Sequence, residues 1–321
     1  MERMPAGNDQ SMVHVGIDVG GSALKVGVLS AELCTGTPAD LESAVLWEES
    51  VPVAKNTRFE TVFDDLVALL KRRLVGYTID RIGIGLPGAL NRERGVIEMS
   101  PNLTWLIGVD VRAELCQRLG GFEPASIHLE NDANVAALGE QTFGGGAGLR
   151  DLMFVTLGTG VGSGLILDGK LFVGAGFASE VGHLCVEPDG IPCGCGSQGC
   201  LETLASASST ERRARELNLP PESPGDLVQL TEIAREKDGP ERDLLLAVGR
   251  DLGHGLAAVA VLIDVRTFVF GGGFSAALDI LAPGILRGIN ERAYVKRPFE
   301  LLRANLGNRA GWLGAARLGQ D

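Results

Sequence analysis

A strand, a glycine turn and a second strand occur twice in this chain, once in each half. The first copy reads HVGIDVGGSALKVGVLS from His14, and the second reads LMFVTLGTGVGSGLILDGKLF from Leu152. Apolar residues alternate at Val13, Val15 and Ile17, and this period of two predicts β-strands that pair as a hairpin. A hairpin that opens each half predicts two related domains.

Glycine is unusually frequent, because 45 of the 321 residues are glycine where an ordinary protein has about 7%. The glycines cluster as DVGGS, GIGLPG, FGGGAG, LGTGVGSG and FGGGF, and each cluster follows or joins an apolar, β-rich run. Tight turns are one explanation, and close approach of backbone N–H groups to a ligand is the other. Five such clusters at strand ends favour ligand binding.

Strands alternate with helices along the chain. Helical spacing marks FETVFDDLVALLKRRL and VDVRAELCQRLG, LLLAVGRDLGHGLAAVAVLID reads as a long apolar helix, and DRIGIGLPGAL and SIHLEND indicate buried strands. The pattern predicts an α/β fold with two domains and a central cleft, in which ligands lie at the carboxyl ends of the strands. The predicted parts are a flexible tail over residues 1–12, a small α/β domain over residues 13–129 plus 305–321, and a large α/β domain with a zinc loop over residues 130–304.

The charge and the apolar runs exclude two classes of partner. The formal net charge is −12 and no block of Lys and Arg occurs, so nucleic acid is not an expected partner. The apolar runs are too short to span a bilayer. The N-terminal MERMPAGNDQSM lacks the apolar segment of a signal peptide. We therefore expect no membrane partner and a cytoplasmic location, where the six cysteines stay reduced.

Three of the cysteines crowd into the segment CGCGSQGC. Cys193, Cys195 and Cys200 have the spacing C-x-C-x₄-C, and His183 lies upstream of them. Three thiolates and one imidazole suit a tetrahedral Zn²⁺, and four protein ligands leave no open position, so the metal would be structural. A loop of free cysteines is the alternative. Cys185, in HLCVE, is assigned to the core.

Two glycine turns offer phosphate-binding chemistry. Asp18 closes the first strand and would act through water on Mg²⁺, while the N–H groups of Gly20 and Gly21 and the Ser22 hydroxyl would hold phosphate oxygens. A hairpin turn without a ligand is the alternative. Neither turn has the spacing of a Walker A loop or of a dinucleotide-binding loop. The second turn offers the same chemistry at Gly158, Thr159 and Gly160.

Acidic and amide side chains stand at two further places. Asp132 follows Asn131 where a strand meets an alanine-rich helix, and helix capping alone would explain an Asp there. Glu180, in SEVGH, and Glu202, which follows Cys200 closely, would accept hydrogen bonds from sugar hydroxyls if a zinc ion fixed their segments. Solvated surface acids are the alternative for both.

Together these motifs resemble the ROK family of repressors, open reading frames and kinases. The resemblance runs from about Gly16 to Leu318 and rests on DVGGSALK, GIGLPG, PNLTW, LENDAN, LGTGVGSG, SEVGH, CGCGSQGCLE and FGGGFS. It implies the actin-like ATPase (ribonuclease H-like) fold, ATP and Mg²⁺ as the phosphoryl source, a structural Zn²⁺ and a homodimer.

The resemblance also implies a reaction and a role for each matching residue. Asp132 matches the catalytic base of an ATP-dependent hexose kinase, with glucose as the expected substrate. N-acetylglucosamine, N-acetylmannosamine and fructose are alternatives, and Glu130 has no assigned role. The sugar-binding set is Gly88, Asn102, Asn131, Asp132, Glu180, His183 and Glu202. The nucleotide-binding set is Asp18, Gly20, Gly21, Ser22, Lys25, Gly158, Thr159, Gly160, Gly271, Gly272 and Gly273. The metal ligands are His183, Cys193, Cys195 and Cys200.

The sequence departs from the family pattern at two places, and three other readings compete. Ser179 stands where the family usually has Gly, and Asp264-Val265 stands where it typically has Asn-Pro.

A sugar-responsive repressor would need a winged-helix domain ahead of the core, which begins at Asp18 here. A non-catalytic sugar-binding protein would not need both hairpins and Asp132. A polyphosphate-dependent kinase would be expected to carry added basic residues near the donor site.

Overall fold

The computed structural model describes residues 11–32, 41–54, 57–100, 103–219 and 227–320. The chain divides into two compact units. Unit 1 comprises Met1–Gly148, Val173–Ala178 and Asn308–Asp321, and unit 2 comprises Leu149–Phe172 and Ser179–Gly307. Three features of the sequence prediction, namely Cys34, Asn102 and most of the N-terminal tail, lie outside the described residues.

The described part of the chain forms strands and helices that alternate as the sequence predicts. The strands are β1 (Met12–Val19), β2 (Ala23–Ser30), β3 (Val45–Pro52), β4 (Thr78–Leu86), β5 (Ala89–Asn91), β6 (Val96–Met99), β7 (Ile127–Asn131), β8 (Leu152–Leu157), β9 (Val161–Leu167), β10 (Lys170–Phe172), β11 (Thr267–Gly271) and β12 (Glu300–Arg303). The helices are α1 (Leu41–Ala44), α2 (Phe59–Arg73), α3 (Val111–Leu119), α4 (Asp132–Phe143), α5 (Glu202–Ala205), α6 (Ala207–Glu216), α7 (Val228–Glu236), α8 (Pro240–Ile263), α9 (Leu278–Arg292) and α10 (Ala310–Ala315).

Unit 1 is built on a five-stranded sheet in the order β3-β2-β1-β4-β7, and β5 pairs with β6 in a small second sheet. β1 and β2 form the predicted antiparallel hairpin, whereas β4 and β7 continue the sheet in parallel with β1. The carboxyl ends of β1, β4 and β7 therefore share one edge. Unit 1 extends to Gly148, so β7 and α4 belong to it, although the sequence placed the domain boundary at residue 130.

A row of three glycines across unit 1's sheet makes room for α10. Gly16 of β1 lies opposite Gly27 of β2 and Gly83 of β4. A Cβ atom at Gly16 would lie 1.9 Å from the carbonyl oxygen of Trp312, and one at Gly83 would lie 1.7 Å from that of Ala315. Because a side chain at either position would collide with the α10 backbone, these glycines serve helix–sheet packing, which the sequence pattern did not separate from ligand binding.

Unit 2 repeats the architecture of unit 1. Its sheet has the order β10-β9-β8-β11-β12, with β8 and β9 as a hairpin and β8, β11 and β12 in parallel. Each unit has its own apolar core, represented by Ile17 and Ile84 in unit 1 and by Leu252 and Phe268 in unit 2. The prediction of an α/β fold with two related halves is therefore confirmed.

The long helix α8 packs closely against α9 in unit 2. A Cβ atom at Gly253 would lie 2.2 Å from the Ile285 carbonyl oxygen, so the two backbones nearly touch. By length and composition α8 could cross a membrane. One of its faces, including Leu245 and Leu256, is however buried in the core of unit 2, as a core helix requires.

α8 ends at Asp264, one of the two departures from the family pattern. This residue has a φ of +54° and its N–H donates to the carbonyl of Ala260, so it closes the helix in the left-handed conformation. Asn and Asp tolerate that conformation better than most residues. The Arg266 guanidinium donates to both carboxylate oxygens of Asp264. The change from Asn to Asp therefore preserves the helix end.

Candidate active site

The hairpin of unit 1 places a carboxylate beside an exposed turn. Asp18 lies opposite Lys25, whose Nζ donates to Asp18 Oδ2 at 3.3 Å. The Gly20 N–H closes the turn by donating to the Ala23 carbonyl at 2.9 Å. Burial raises the pKa of Asp18 above its ordinary value, and the Lys25 charge opposes that rise. The exposed residues of this turn, which remain accessible to a ligand, are Gly21 and Ser22.

Strand register brings this hairpin and the β7–α4 junction to the same edge of the sheet. Asp18 of β1 lies opposite Gly85 of β4, which lies opposite Glu130 of β7. Two strand spacings of about 4.8 Å separate Asp18 from Glu130, so their Cα atoms are roughly 10 Å apart. Asp18 and the strand that leads into the predicted base Asp132 therefore lie at the same carboxyl edge of the unit 1 sheet.

Asn131, and not Asp132, caps α4. The Asn131 Oδ1 accepts from the backbone N–H groups of Ala133 at 2.9 Å and Asn134 at 3.3 Å, which is the bonding of an N-cap. Its Nδ2 donates to the Gly88 carbonyl at 3.3 Å, so two predicted sugar-pocket residues are in contact. Asp132 is the first residue of the helix, and its Oδ1 accepts from Ala133 N. Asn131 is therefore the N-cap, and Asp132 shares only the Ala133 N–H with it.

Glu130 is a buried anion held by four hydrogen bonds. Its side chain accepts two bonds from Arg92, one of them from Nε at 2.8 Å. Its Oε1 also accepts from the Asn131 N–H at 2.7 Å and from Asn134 Nδ2 at 2.8 Å. Only 5% of Glu130 is exposed. The residue that the sequence left without a role is thus bonded to Asn131 and Asn134, which stand on either side of Asp132.

Arg92 was not identified from the sequence. Besides Glu130 it contacts Gly176, whose carbonyl accepts from Arg92 Nη1. Gly176 belongs to Val173–Ala178, a segment that returns to unit 1 between two parts of unit 2. No local pattern marks Arg92, because its partner on β7 is 38 residues away.

The hairpin turn of unit 2 adjoins the glycines after β11. The Gly158 N–H donates to the Gly160 carbonyl at 3.0 Å, which closes the turn, and Thr159 is exposed at its tip. Gly272 has a φ of +79°, and a Cβ atom there would lie 2.4 Å from the carbonyl oxygen of Leu157, the last residue of β8. The predicted phosphate-binding turn after β8 and the predicted nucleotide-binding glycines Gly271, Gly272 and Gly273 are therefore side by side.

The four predicted metal ligands converge. The ligand atoms of His183, Cys193, Cys195 and Cys200 all lie within 4.8 Å of one another. Cys195 Sγ is 3.7 Å from Cys200 Sγ, and Cys193 Sγ is 3.8 Å from His183 Nδ1. Zn–S bonds of about 2.3 Å in a tetrahedron require ligand separations of about 3.8 Å. The donor set and its spacing thus fit a tetrahedral metal ion.

The thiols of this cluster differ in acidity. Burial raises the pKa of Cys193 and of Cys200 above the ordinary value of a thiol. A hydrogen bond from the Ser197 backbone lowers the pKa of Cys195. A bound cation favours the thiolate form of every ligand. Cys185 lies outside the cluster, and it is exposed rather than in the core as the sequence indicated.

Glu202 lies between the cysteine cluster and the glycine turn of unit 2. The Cys193 thiol donates to Glu202 Oε1 at 3.0 Å, and this oxygen is 3.7 Å from His183 Nδ1. Because Nδ1 of His183 faces the cluster, Nε2 lies on the opposite side of the imidazole ring. Glu180, which is exposed, begins the short 3-10 turn Val181–His183. Two of the residues predicted to bind sugar in unit 2, His183 and Glu202, are thus joined through Cys193.

Ser179, the second departure from the family pattern, is under backbone strain. Its φ of +77° lies in the left-handed region, where a side chain is disfavoured. Its Oγ is buried and has no hydrogen-bond partner. The Ser163 hydroxyl donates to the Ser179 carbonyl and accepts from the Val181 N–H, which holds this conformation.

The structure assembles the predicted residues within each unit. In unit 1 the residues predicted to bind nucleotide lie at the β1–β2 hairpin, and those predicted to bind sugar lie at the β7–α4 junction. In unit 2 the predicted residues lie at the second glycine turn and in the cluster of His183 and three cysteines, with the acidic residues beside it. The unit 1 members are Asp18, Gly20, Gly21, Ser22, Lys25, Gly88, Asn131 and Asp132. The unit 2 members are Gly158, Thr159, Gly160, Glu180, His183, Cys193, Cys195, Cys200, Glu202, Gly271, Gly272 and Gly273.

Known proteins are similar to this chain in sequence and in fold. A family model described as the ROK family matches residues 14–321. The sequence is 34% identical to the glucokinase of Streptomyces coelicolor over 96% of this chain and 97% of that protein. The structure matches the ROK hexokinase of Thermus thermophilus with a TM-score of 0.78 and 32% identity, over 95% of this chain and 97% of that one. It matches the ROK family glucokinase of Streptomyces griseus in complex with glucose and AMPPNP with a TM-score of 0.74 and 33% identity, over 96% and 99% of the two chains.

Two similar α/β units, each opened by a hairpin with a glycine turn, define a sugar kinase with the actin-like ATPase fold. The family match covers nearly the whole chain, and the relatives are matched over nearly their whole length. The chain belongs to the ROK family, as the motifs in the sequence predicted.

Proposed function

We propose that this protein transfers the γ-phosphoryl group of ATP to the primary hydroxyl of a hexose, with glucose as the substrate. The observation that carries the proposal is the β7–α4 junction, where Asn131 is the N-cap and the Asp132 carboxylate follows it as the first residue of the helix. The Asp132 carboxylate stands at the sheet edge that also carries Asp18. The similarity to the glucokinases of two Streptomyces species supports glucose.

Asp132 would act as the general base. It would accept the proton of the attacking hydroxyl while the oxygen forms a bond to the γ-phosphorus, and ADP would leave with the electron pair of the broken P–O bond. A positioned base contributes about 10²- to 10⁴-fold to a rate. The remaining requirements of phosphoryl transfer are alignment and neutralisation of charge.

The residues proposed to bind the nucleotide include the glycine turn of each unit. Gly20, Gly21 and Ser22 offer an exposed turn in unit 1, and Gly158 and Thr159 offer the corresponding turn in unit 2. Mg²⁺ would supply neutralisation of the phosphate charge. Asp18 would hold the ion through water, and Lys25 would shift from its pairing with Asp18 towards the phosphates. The nucleotide-binding glycines that complete the set are Gly271, Gly272 and Gly273, beside β8.

The residues proposed to bind the hexose are assigned within each unit. Asn131 and Gly88 are already hydrogen-bonded to each other, and Nε2 of His183 points away from the cysteine cluster. Hydroxyl groups pair well with such amide, imidazole and carboxylate groups. N-acetylglucosamine, N-acetylmannosamine and fructose offer similar hydroxyls and are the alternative substrates. The remaining residues proposed to bind the sugar are Asn102, Glu180 and Glu202.

We further propose that the cluster of His183 and three cysteines holds a structural Zn²⁺. Four protein ligands at tetrahedral spacing support a closed site without a catalytic water. Its role would be to fix His183 and Glu202, since both side chains contact Cys193. A homodimer, a cytoplasmic location and the absence of nucleic acid and membranes among the partners stay predictions of the sequence.

A coupled assay of ADP release over a panel of hexoses tests the proposal. We expect turnover with glucose above that with the two N-acetylhexosamines and fructose, and a loss of about 10²- to 10⁴-fold in kcat for Asp132→Asn. The matched control is Asp110→Asn, since Asp110 caps α3 in the same unit and Asn caps equally well. Preference for an N-acetylated sugar would exclude glucose, and full activity of Asp132→Asn would exclude the base.

A further inference from the structure

We propose that the Arg92–Glu130 pair positions the catalytic base and couples it to the segment that leads into Glu180. Neither residue would touch the substrate, so both are positioning residues. The inference rests on the proposed function, because it assumes that Asp132 accepts a proton from the sugar and that Glu180 binds it.

The first half of the inference follows from the bonds of Glu130. Its Oε1 accepts from the N–H of Asn131, the residue before Asp132, and from Nδ2 of Asn134, two residues after it. One carboxylate oxygen thus restrains the chain on both sides of Asp132. Asn134 is 3% exposed, so this restraint lies in the interior, where it is shielded from water.

The second half follows from the bonds of Arg92. Its guanidinium donates to both oxygens of Glu130 and also to the carbonyl of Gly176. A planar guanidinium has donors in a fixed fork, so one Arg can satisfy a carboxylate and a carbonyl together with little freedom. Gly176 lies four residues before Glu180 in the chain. The Arg92 side chain therefore holds both β7, which leads into Asp132, and the segment Val173–Ala178, which leads into Glu180.

Arg92 is itself held in place by Arg112. The Arg112 Nη1 donates to the Arg92 carbonyl at 2.9 Å, and its Nε donates to the carbonyl of Ile127, the first residue of β7, at 3.1 Å. The bonds from Arg112 to Ile127 and from Arg92 to Glu130 therefore hold β7 at its first residue and near its end. A displacement of Val173–Ala178 would therefore be transmitted to the β7–α4 junction through one bonded path.

Stability alone does not explain a charged pair at this place. Replacing both members of a buried ion pair by apolar residues of similar size is often neutral for folding, whereas removing one member leaves a buried charge unpaired. The distinctive property of the Arg92–Glu130 pair is the direction of its hydrogen bonds, which orient three groups: the Asn131 N–H, the Asn134 amide and the Gly176 carbonyl. Fixed directions are what the positioning of a catalytic base requires, because a misplacement of about 1 Å can lower the reaction rate about 100-fold.

The double variant Arg92→Met/Glu130→Met tests the inference, since it removes both charges together with the Glu130 oxygen that holds Asn131 and Asn134. We expect its kcat/KM for the hexose to fall about 10- to 100-fold while its KM for ATP changes less than about twofold, because the nucleotide turns are untouched. Arg92→Lys is the second variant: it keeps the charge but cannot bond Glu130 twice and Gly176 once. We expect it to keep the wild-type Tm and to lose hexose kcat/KM in the same direction.

Asp80→Asn is the matched control. Asp80 is a partly buried ion-pair carboxylate in unit 1, bonded to His14 and Arg81 at the other end of β4. We expect it to lower Tm without changing the hexose KM. If Arg92→Lys, or a folded double variant, keeps wild-type kcat and hexose KM, the inference is overturned. If the wild-type protein phosphorylates no hexose, the proposed function fails instead, so the two failures are distinguishable.

Discussion

The carboxylate of Glu202 occupies the space beside Gly160 in the turn between β8 and β9. A Cβ atom at Gly160 would lie 2.7 Å from Glu202 Oε2. The other oxygen, Oε1, accepts from the Cys193 thiol and lies near His183 Nδ1. One side chain therefore contacts both the glycine turn and the metal-type cluster, so a change at either one acts on the other.

A methyl group at Gly160 should disturb this relationship selectively. In Gly160→Ala the new Cβ displaces the end of the Glu202 side chain, and we expect the hexose KM to rise about tenfold, as for the loss of one hydrogen bond to a charged group. Stability should change by less than about 1 kcal/mol, because the displaced atoms end a flexible side chain. Gly239→Ala is the control, since a Cβ atom there would also meet only the end of a flexible Glu side chain, that of Glu241 at 3.3 Å, and Gly239 belongs to neither proposed binding set. Equal hexose KM values for the two variants would contradict this account of Glu202.

Removal of the metal should destabilise unit 2. We expect about one equivalent of zinc per chain, and we expect a strong chelator to lower Tm, because binding energy of a structural metal is also folding energy. Cys195→Ser should lose the metal, whereas Cys185→Ser should keep it, since Cys185 lies outside the four converging ligands. Metal analysis of both purified variants checks this. Less than about half an equivalent in the wild-type protein would count against a zinc site.

Replacing Ser179 by glycine should stabilise the protein. The change relieves a positive φ that costs about 1 kcal/mol or more, and it removes a buried hydroxyl without a partner. The added flexibility of the unfolded chain offsets part of this gain. We expect the free energy of unfolding of Ser179→Gly, measured by denaturant titration, to exceed that of the wild type by about 1 kcal/mol. Ser179→Ala removes only the hydroxyl, so it should recover a smaller part of the gain; a Ser179→Gly variant less stable than Ser179→Ala would contradict the strain.

Stability at low pH should depend on Glu291. Hydrogen bonds from His254, Arg250 and Arg287 lower the pKa of Glu291 to about 2 in the folded protein. The folded pKa is depressed, so the contribution of Glu291 is complete above its unfolded pKa near 4.5 and disappears as the pH falls towards 2. The Tm difference between wild type and Glu291→Gln should therefore be constant from neutral pH to about pH 5 and shrink below it. Glu236→Gln, at the exposed end of α7, is the control, and a pH-independent difference for Glu291→Gln would contradict the prediction.

Much of the fold and the clustering of site residues within each unit could be predicted because they depend on short-range pattern. Alternating apolar residues and a glycine turn determine a hairpin within about 17 residues. His183 and three cysteines within one loop converge because the chain between them is short. The sequence offered helix capping as an alternative explanation of Asp132, and the structure gives the N-cap position to Asn131; both residues are good caps, and only the backbone conformation at Asn131 distinguishes them.

The remaining parts of the candidate site depend on contacts that no local pattern records. Arg92 lies 38 residues from Glu130, and Gly176 lies 84 residues from Arg92. Gly83 belongs to the cluster GIGLPG, which the sequence analysis associated with ligand binding, yet it is glycine because α10, from the far end of the chain, lies against it.

The sequence by itself determined the two hairpins, the cysteine cluster and the family, because spacing along the chain and residue chemistry suffice for these. Only the tertiary structure decided that Glu130 is a buried ion-pair partner and that Glu202 faces both Gly160 and Cys193. The reason is physical: a charged side chain is stable in the interior only with a partner, and the partner is chosen by packing in three dimensions.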